Sequence, residues 1–215
     1  MSIRSKKDLE IVLSKLKNFE NPSLQLEQYP TPSSIAAEWI WTMVMKGDVR
    51  ERIILDAACG PGILGIGLLL MRAKKVFFVD KDKNIMKVCK ENYEKTKKEY
   101  HLGRAEFVVS DISQFNKKVN IVIQNPPFGT KHKHIDKLFL EKAFSLAEVV
   151  YSMHKSSTRQ FVEAISRDFH FKITHFWKFE FPLKRSFAFH QKPVTKIEVG
   201  LWRMEKNQKI VKGQE

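Results

Sequence analysis

The chain has 215 residues, 43% of them hydrophobic, enough for one α/β domain with a sizeable core and too apolar for a disordered chain. Its 38 Lys and Arg against 24 Asp and Glu give a formal charge of +14, which favours a polyanionic partner, nucleic acid before an anionic membrane. Two cysteines, Cys59 and Cys89, argue against a disulfide scaffold or a structural zinc site, and the longest apolar run, Ile63 to Met71, is broken by Gly65 and Gly67 and too short to span a bilayer.

Met1 to Glu10 is charged and lacks a signal-peptide core, so the expectation is a soluble, cytoplasmic protein. Leu9, Val12, Leu13 and Leu16 recur at helical spacing and predict a helix over 6–18, closed by Asn21-Pro22. In Leu26-Glu27-Gln28-Tyr29-Pro30-Thr31-Pro32, two prolines in three residues force an extended strip. Gln28, Tyr29 and Thr31 give it polar side chains that could close over a site, and Ser33 or Ser34 could cap a helix over about 34–46. The same strip is also a plain linker between helices.

Arg52 to Asp56 reads as the first strand, Ala57 to Gly62 as a tight turn of small residues, and Ile63 to Arg72 as a helix. A second strand, Lys75 to Val79, ends in Asp80; a charged helix over 82–98 turns Ile85, Val88 and Cys89 inward; a third strand, Ala105 to Val109, precedes Asp111. The fourth strand, Val119 to Gln124, runs into Asn125-Pro126-Pro127-Phe128. Both prolines lack the N–H a strand ladder needs, so the strand stops there in a stiff corner that presents an amide, free carbonyls and a ring. A basic loop, Gly129 to His134, leads to a helix over about 136–147 with Leu138, Phe139, Ala143 and Leu146 on one face. Val149 to Met153 is a fifth strand, and His154 to Thr158 leads into a helix ending near Arg167. Phe171 to Glu180 and Ile197 to Arg203 are two last strands, paired antiparallel, with a basic, aromatic-rich stretch between them.

Gly60-x-Gly62-x-x-Gly65 with Asp80 at the spacing of a ribose-binding acid fits a nicotinamide dehydrogenase as well as a methyltransferase. Three features favour the second. Asp56 would repel a pyrophosphate but tolerate an ammonium. Asp111 could read an adenine amino group. Asn125-Pro126-Pro127-Phe128 suits a planar NH2, with the Asn125 oxygen and the Pro126 carbonyl accepting its hydrogens and Phe128 stacking on the ring. Cys59 reads as a packed small residue of the turn rather than a nucleophile. No Cys or carboxylate spacing supports a metal site at His132, His134, His154 or His190, which read as solvated or RNA-facing. Lys131, Lys133, Lys155, Lys184, Arg185 and Lys192 stand in loops flanking the expected pocket and could contact phosphates or simply be solvated.

This combination resembles class I S-adenosylmethionine-dependent methyltransferases acting on amino nitrogens. Three stretches resemble the small-subunit rRNA adenine-N6 methyltransferases of the methyltransferase-like protein five type: Leu26 to Thr31, Asn125 to Lys131 and Tyr151 to Arg159. The resemblance implies a Rossmann-like α/β fold, with a seven-stranded, mostly parallel sheet, helices on both faces and an antiparallel last strand. The chain then divides into a helical and cofactor-closing extension (1–33), a methyltransferase domain (34–205) and a tail (206–215). It implies that Gln28 and Thr31 close over S-adenosyl-L-methionine. Ala58, Pro61 and Ile63 would line its methionine part, Asp80 its ribose, and Asp111 with Ile112 its adenine, with Asp56, Gly60, Gly62 and Asn125 as further cofactor-binding candidates. Asn125, Pro126, Pro127 and Phe128 would hold the target adenine. The resemblance also implies a small zinc-binding activator protein as partner. It departs from the family at Ala58, where members often have Gly. Guanine-N2 and glutamine-N5 methylation, and a cofactor-binding RNA scaffold without catalysis, are the other readings of the same residues.

Overall fold

The computed structural model describes residues 2–19, 28–127, 135–184 and 194–207. Helix α1 (Lys6–Ser14) opens on a reciprocal cap, in which the Ser5 hydroxyl accepts from the Asp8 N–H and the Asp8 carboxylate accepts from the Ser5 N–H. It ends four residues before the expected boundary, because Lys17 turns away to bond to a later helix through its backbone. Helix α2 (Ser33–Met45) has Pro32 at its N-cap, not either serine: Ser33 and Ser34 lie inside its first turn, and among the described residues no side chain caps it. Pro32, its φ already near the helical value, is preset for that position.

The rest alternates strand and helix: β1 (Ile53–Ala57), α3 (Ile63–Leu70), β2 (Lys75–Asp80), α4 (Lys83–Glu99), β3 (Arg104–Val109), β4 (Ile121–Gln124), α5 (Ile135–Leu146), β5 (Val149–Lys155), α6 (Arg159–Asp168), β6 (Phe171–Lys184) and β7 (Val194–Lys206). All seven strands form one sheet in the order β3-β2-β1-β4-β5-β7-β6. The pairings from β3 through β5 are parallel, and β7 runs antiparallel between β5 and β6.

Successive strand residues face opposite sides, and each side is buried. Ile54, Val76, Phe78, Ile121 and Ile123 pack with α1, α2, α3 and α4. Leu55, Phe77, Val79, Val122 and Val150 pack with α5 and α6. The near-continuous apolar runs of the central strands follow from that double burial. Strand β4 starts two residues later than expected, since the Asn120 side chain accepts from the Ile53 N–H at the strand's entrance. Strands β6 and β7 reach past the expected ends, through Pro182, because β6 is an edge strand and a missing N–H on the outer side breaks no ladder bond. Leu138, expected on the packed face of α5, is 37% exposed.

The order places a topological switch between β1 and β4. From β1 the chain crosses to β2 on one side, and β4 returns on the other, so a crevice opens at their carboxyl ends.

Candidate active site

Two loops leave the sheet at that crevice. Ala57 is opposite Gln124 in the β1–β4 pairing, so the turn beginning at Ala58 and the corner beginning at Asn125 emerge as neighbours. A cleft of about 940 Å³, counting its mouth, lies over them. Gln28, Thr31, Asp56, Ala58, Gly60, Pro61 and Ile63 line it, together with Asp80, Asp111, Ile112, Asn125 and Pro127. Gly62 and Pro126 do not. Gly62 starts α3 at φ 87°, and a Cβ there would stand 2.5 Å from the Cys89 sulfur, so this glycine serves helix packing.

Three carboxylates end three adjacent strands around this space. Asp56, 1% exposed, accepts the Gly65 N–H at 2.8 Å. Gly65 allows this because an added Cβ would sit 2.9 Å from that carboxylate oxygen and 2.3 Å from the Phe78 ring. Burial pushes the Asp56 carboxyl up to about 8, against the Gly65 hydrogen bond. Asp80 accepts the Gly60 N–H at 2.9 Å and the Asp82 N–H at 3.0 Å, and burial raises its pKa. Asp111 accepts the Ser113 N–H at 2.9 Å, and hydrogen bonds from Ser113 hold its carboxyl below the usual range.

The 28–31 strip touches both lips of the cleft. Gln28 Nε2 donates to the Asp82 carboxylate at 2.9 Å, on the β2 side. Asn125 Nδ2 donates to Thr31 Oγ1 at 3.0 Å, on the β4 side. The Asn125 Oδ1 is buried and has no hydrogen-bond partner among the described residues. Ala58 holds φ 56°, a left-handed backbone that favours glycine. Its chain nevertheless makes the turn, since Ala carries only one carbon beyond the backbone.

The structure separates other residues from this cleft. Lys155 closes β5 and lines a different surface groove, with Ser156, Arg159 and Phe176. His154, expected at the surface, is 2% exposed: its ring bonds to Ser152 Oγ at 2.6 Å, and burial lowers its pKa to about 3. Ser152 in turn accepts from Gln124 Nε2 at 3.0 Å, so a buried polar chain stands directly behind the Asn125 corner. Cys59 is buried, with its thiol pushed well above the ordinary value by burial and by Cys89, which removes a thiolate. Phe128, Lys131, Lys133, Arg185 and Lys192, the Lys184 side chain, and His132, His134 and His190 lie outside what the structure describes. Among the described residues, no three His, Cys, Asp or Glu side chains form a metal-binding group, and no helix is long and apolar enough to cross a membrane. Phe19, Lys81, Ser110 and Leu138 also stand on the cleft wall; no local pattern in the sequence marks them.

A crevice at a doubly wound switch point, acids on three successive strand ends and an Asn-Pro-Pro corner beside them define a class I methyltransferase. The methyltransferase small domain family model matches residues 38–149, and the chain belongs to that family. It is 35% identical to the rRNA N(6)-adenosine-methyltransferase METTL5 of Danio rerio over 200 residues, covering 90% of this chain and 95% of that protein. Its fold superposes on a candidate RNA methyltransferase from Pyrococcus horikoshii with a TM-score of 0.87 and 40% identity, covering 96% of this chain and all of that one. It shares the fold, at 14% identity and a TM-score of 0.64, with magnesium protoporphyrin IX methyltransferase of Synechocystis, solved with S-adenosylmethionine bound; that match covers 80% of this chain and 78% of that one. On that neighbour the fold holds S-adenosylmethionine.

Proposed function

We propose that this protein methylates the N6 amino group of an adenine in small-subunit rRNA. The observation that carries the reading is the state of Asn125. Thr31 fixes its carboxamide by taking Nδ2, and Oδ1, buried and without a partner among the described residues, remains as an acceptor. A buried acceptor left unpaired costs about 1–3 kcal/mol, a cost that an incoming N–H removes. The relation to a protein named as an rRNA adenosine-N6 methyltransferase and the +14 charge support an RNA substrate.

When bound, S-adenosylmethionine supplies a methyl group already made electrophilic by its charged sulfur. The chain's part is to bind and position. Asp56 would face the ammonium, Asp80 the ribose hydroxyls, and Asp111 with Ile112 the adenine. The backbone of Ala58, Gly60, Pro61 and Ile63 would approach closely, and Gln28 and Thr31 would close the strip over the site. The Asn125 Oδ1 and the Pro126 carbonyl would accept the two hydrogens of the target amine and localise its lone pair. Pro127 stiffens the corner, and Phe128 would stack on the base. The target adenine must be unpaired or flipped, since pairing occupies N6. Lys131, Lys133, Lys155, Lys184, Arg185 and Lys192 would meet RNA phosphates.

A small zinc-binding activator would cover the β3 edge of the sheet. In support, β3 ends the sheet on that side, and Val109 on it is 48% exposed. The protein would work in the cytoplasm, where small subunits translate. The test is mass spectrometry of nucleosides from small-subunit rRNA treated with the protein and S-adenosylmethionine. N6-methyladenosine supports the reading. N2-methylguanosine, or label only in protein glutamine, would replace it, and no product with cofactor bound would leave a scaffold.

A further inference from the structure

We propose that Phe19 is a cofactor-contact residue and that Asn92, on α4, is the positioning residue that holds it over the glycine turn. The inference rests on the reading of this cleft as the S-adenosylmethionine site and extends it to residues outside the strands and their turns.

Asn92 is 1% exposed in the middle of a charged helix, a costly place for a carboxamide unless its polar atoms are used. They are used on two separate segments. Its Oδ1 accepts the Lys17 N–H at 2.8 Å, and its Nδ2 donates to the Lys17 carbonyl at 2.9 Å. The same Nδ2 donates to the Pro61 carbonyl at 2.9 Å, inside the turn that floors the cleft. One side chain therefore ties the N-terminal segment to the turn. The Lys17–Glu91 ion pair beside it is exposed and adds little.

Two residues beyond Lys17, Phe19 reaches the cleft wall, its N–H bonded to Asn18 Oδ1 at 2.9 Å. Its ring stands against Gly60: a Cβ built there would lie 3.1 Å from the Phe19 Cζ. Gly60, at φ 54°, donates its N–H to Asp80. The ring is thus set beside the backbone and carboxylate that this site offers to the cofactor, and it gives the cleft an apolar wall there. Asn92 does not itself line the cleft; it acts on binding through Lys17, which leads to the Phe19 ring, and through Pro61 in the turn beneath that ring.

Calorimetric titration of S-adenosylmethionine and S-adenosylhomocysteine into the wild type, Phe19→Ala, Phe19→Leu, Asn92→Ala and the double variant tests this, with thermal unfolding as a check on the fold. Phe19→Ala should weaken binding of both ligands tenfold or more, and Phe19→Leu should recover part of it. Asn92→Ala should also weaken binding, and by a clearly smaller factor when Phe19 is already Ala, because coupled residues do not add. Phe19→Ala binding as tightly as wild type, or more tightly, would overturn the inference, as would an Asn92 effect of full size in the Phe19→Ala background. Asn92→Ser serves the same cycle if Asn92→Ala unfolds, and the Phe19 arm stands without it. A wild-type protein that binds neither ligand would overturn the cofactor assignment itself; normal wild-type binding with indifferent Phe19 variants would overturn this inference alone.

Discussion

Asn125 and Thr31, 94 residues apart in the chain, meet at 3.0 Å across the mouth of the cleft. The bond fixes which end of the Asn125 amide is spent. Asn125→Ala should therefore lower methyl transfer by 100-fold or more while S-adenosylmethionine still binds. Thr31→Val, which keeps the shape but loses the acceptor, should cost about tenfold in kcat, with Thr31→Ser restoring most of it. Single-turnover rates beside calorimetric Kd values check both; an Asn125→Ala enzyme at full speed would remove this residue from the reaction.

Asp56 is held at a cost to the folded state, since its carboxyl is buried and shifted up to about 8. Asp56→Asn keeps an acceptor for the Gly65 N–H but never ionises. We expect the variant to melt higher than wild type and to bind S-adenosylmethionine 10- to 100-fold more weakly, the loss of about 1–3 kcal/mol for a charge-assisted contact. Melting and titration on the same preparation read both effects.

The pH dependence of stability has two limbs of opposite origin. The folded chain keeps the Asp56 proton that the unfolded chain loses near 3.8, so this contribution falls as pH rises from there to about 8. Asp80, also raised, acts in the same sense. The unfolded chain protonates His154 near 6.5 and the folded chain only near 3, so that contribution falls as pH drops through this range. Glu106 and Asp111, held low in the fold, steepen the acid side. From about 4 to 6.5 the Asp56 and His154 slopes offset each other, at roughly 1.4 kcal/mol per unit each. Urea unfolding across pH should give a plateau there, with Asp56→Asn flattening the alkaline limb and His154→Gln the acid one. A wild type equally stable at pH 6.5 and 8 would contradict the Asp56 assignment.

Ala58 sits at φ 56°, where a side chain costs about 1–2 kcal/mol and glycine costs none. Ala58→Gly adds about 0.4–1 kcal/mol of unfolded-chain freedom in return. The balance predicts a gain of about 0.5–1 kcal/mol in stability with S-adenosylmethionine affinity equal or better. A lower melting temperature would show that the methyl makes a contact worth more than the strain.

How much of this was legible beforehand depends on the range of the forces involved. Asp56, the small-residue turn, Asp80 and the proline-stopped corner could be read because each is local chemistry: a strand's apolar run, a turn that admits no bulk, a ring without an N–H. The resemblance in the Gln28, Asn125 and Tyr151 stretches then tied them to one activity. His154 is legible only in the fold, because a histidine beside Lys155 has no mark of burial until Trp202 and Ser152 close on it.

The chain's own residue order determined a strand–turn–helix succession and a stiff acceptor corner, since backbone sterics act over a few residues. Only the tertiary structure decided that β4 lies against β1, so that the corner faces the turn, and that Asn92 binds Lys17 75 residues away and Pro61 31 residues away. Those contacts come from burying two faces of one twisted sheet. Such packing selects partners by shape and by unspent hydrogen bonds, which leave no period or spacing in a sequence.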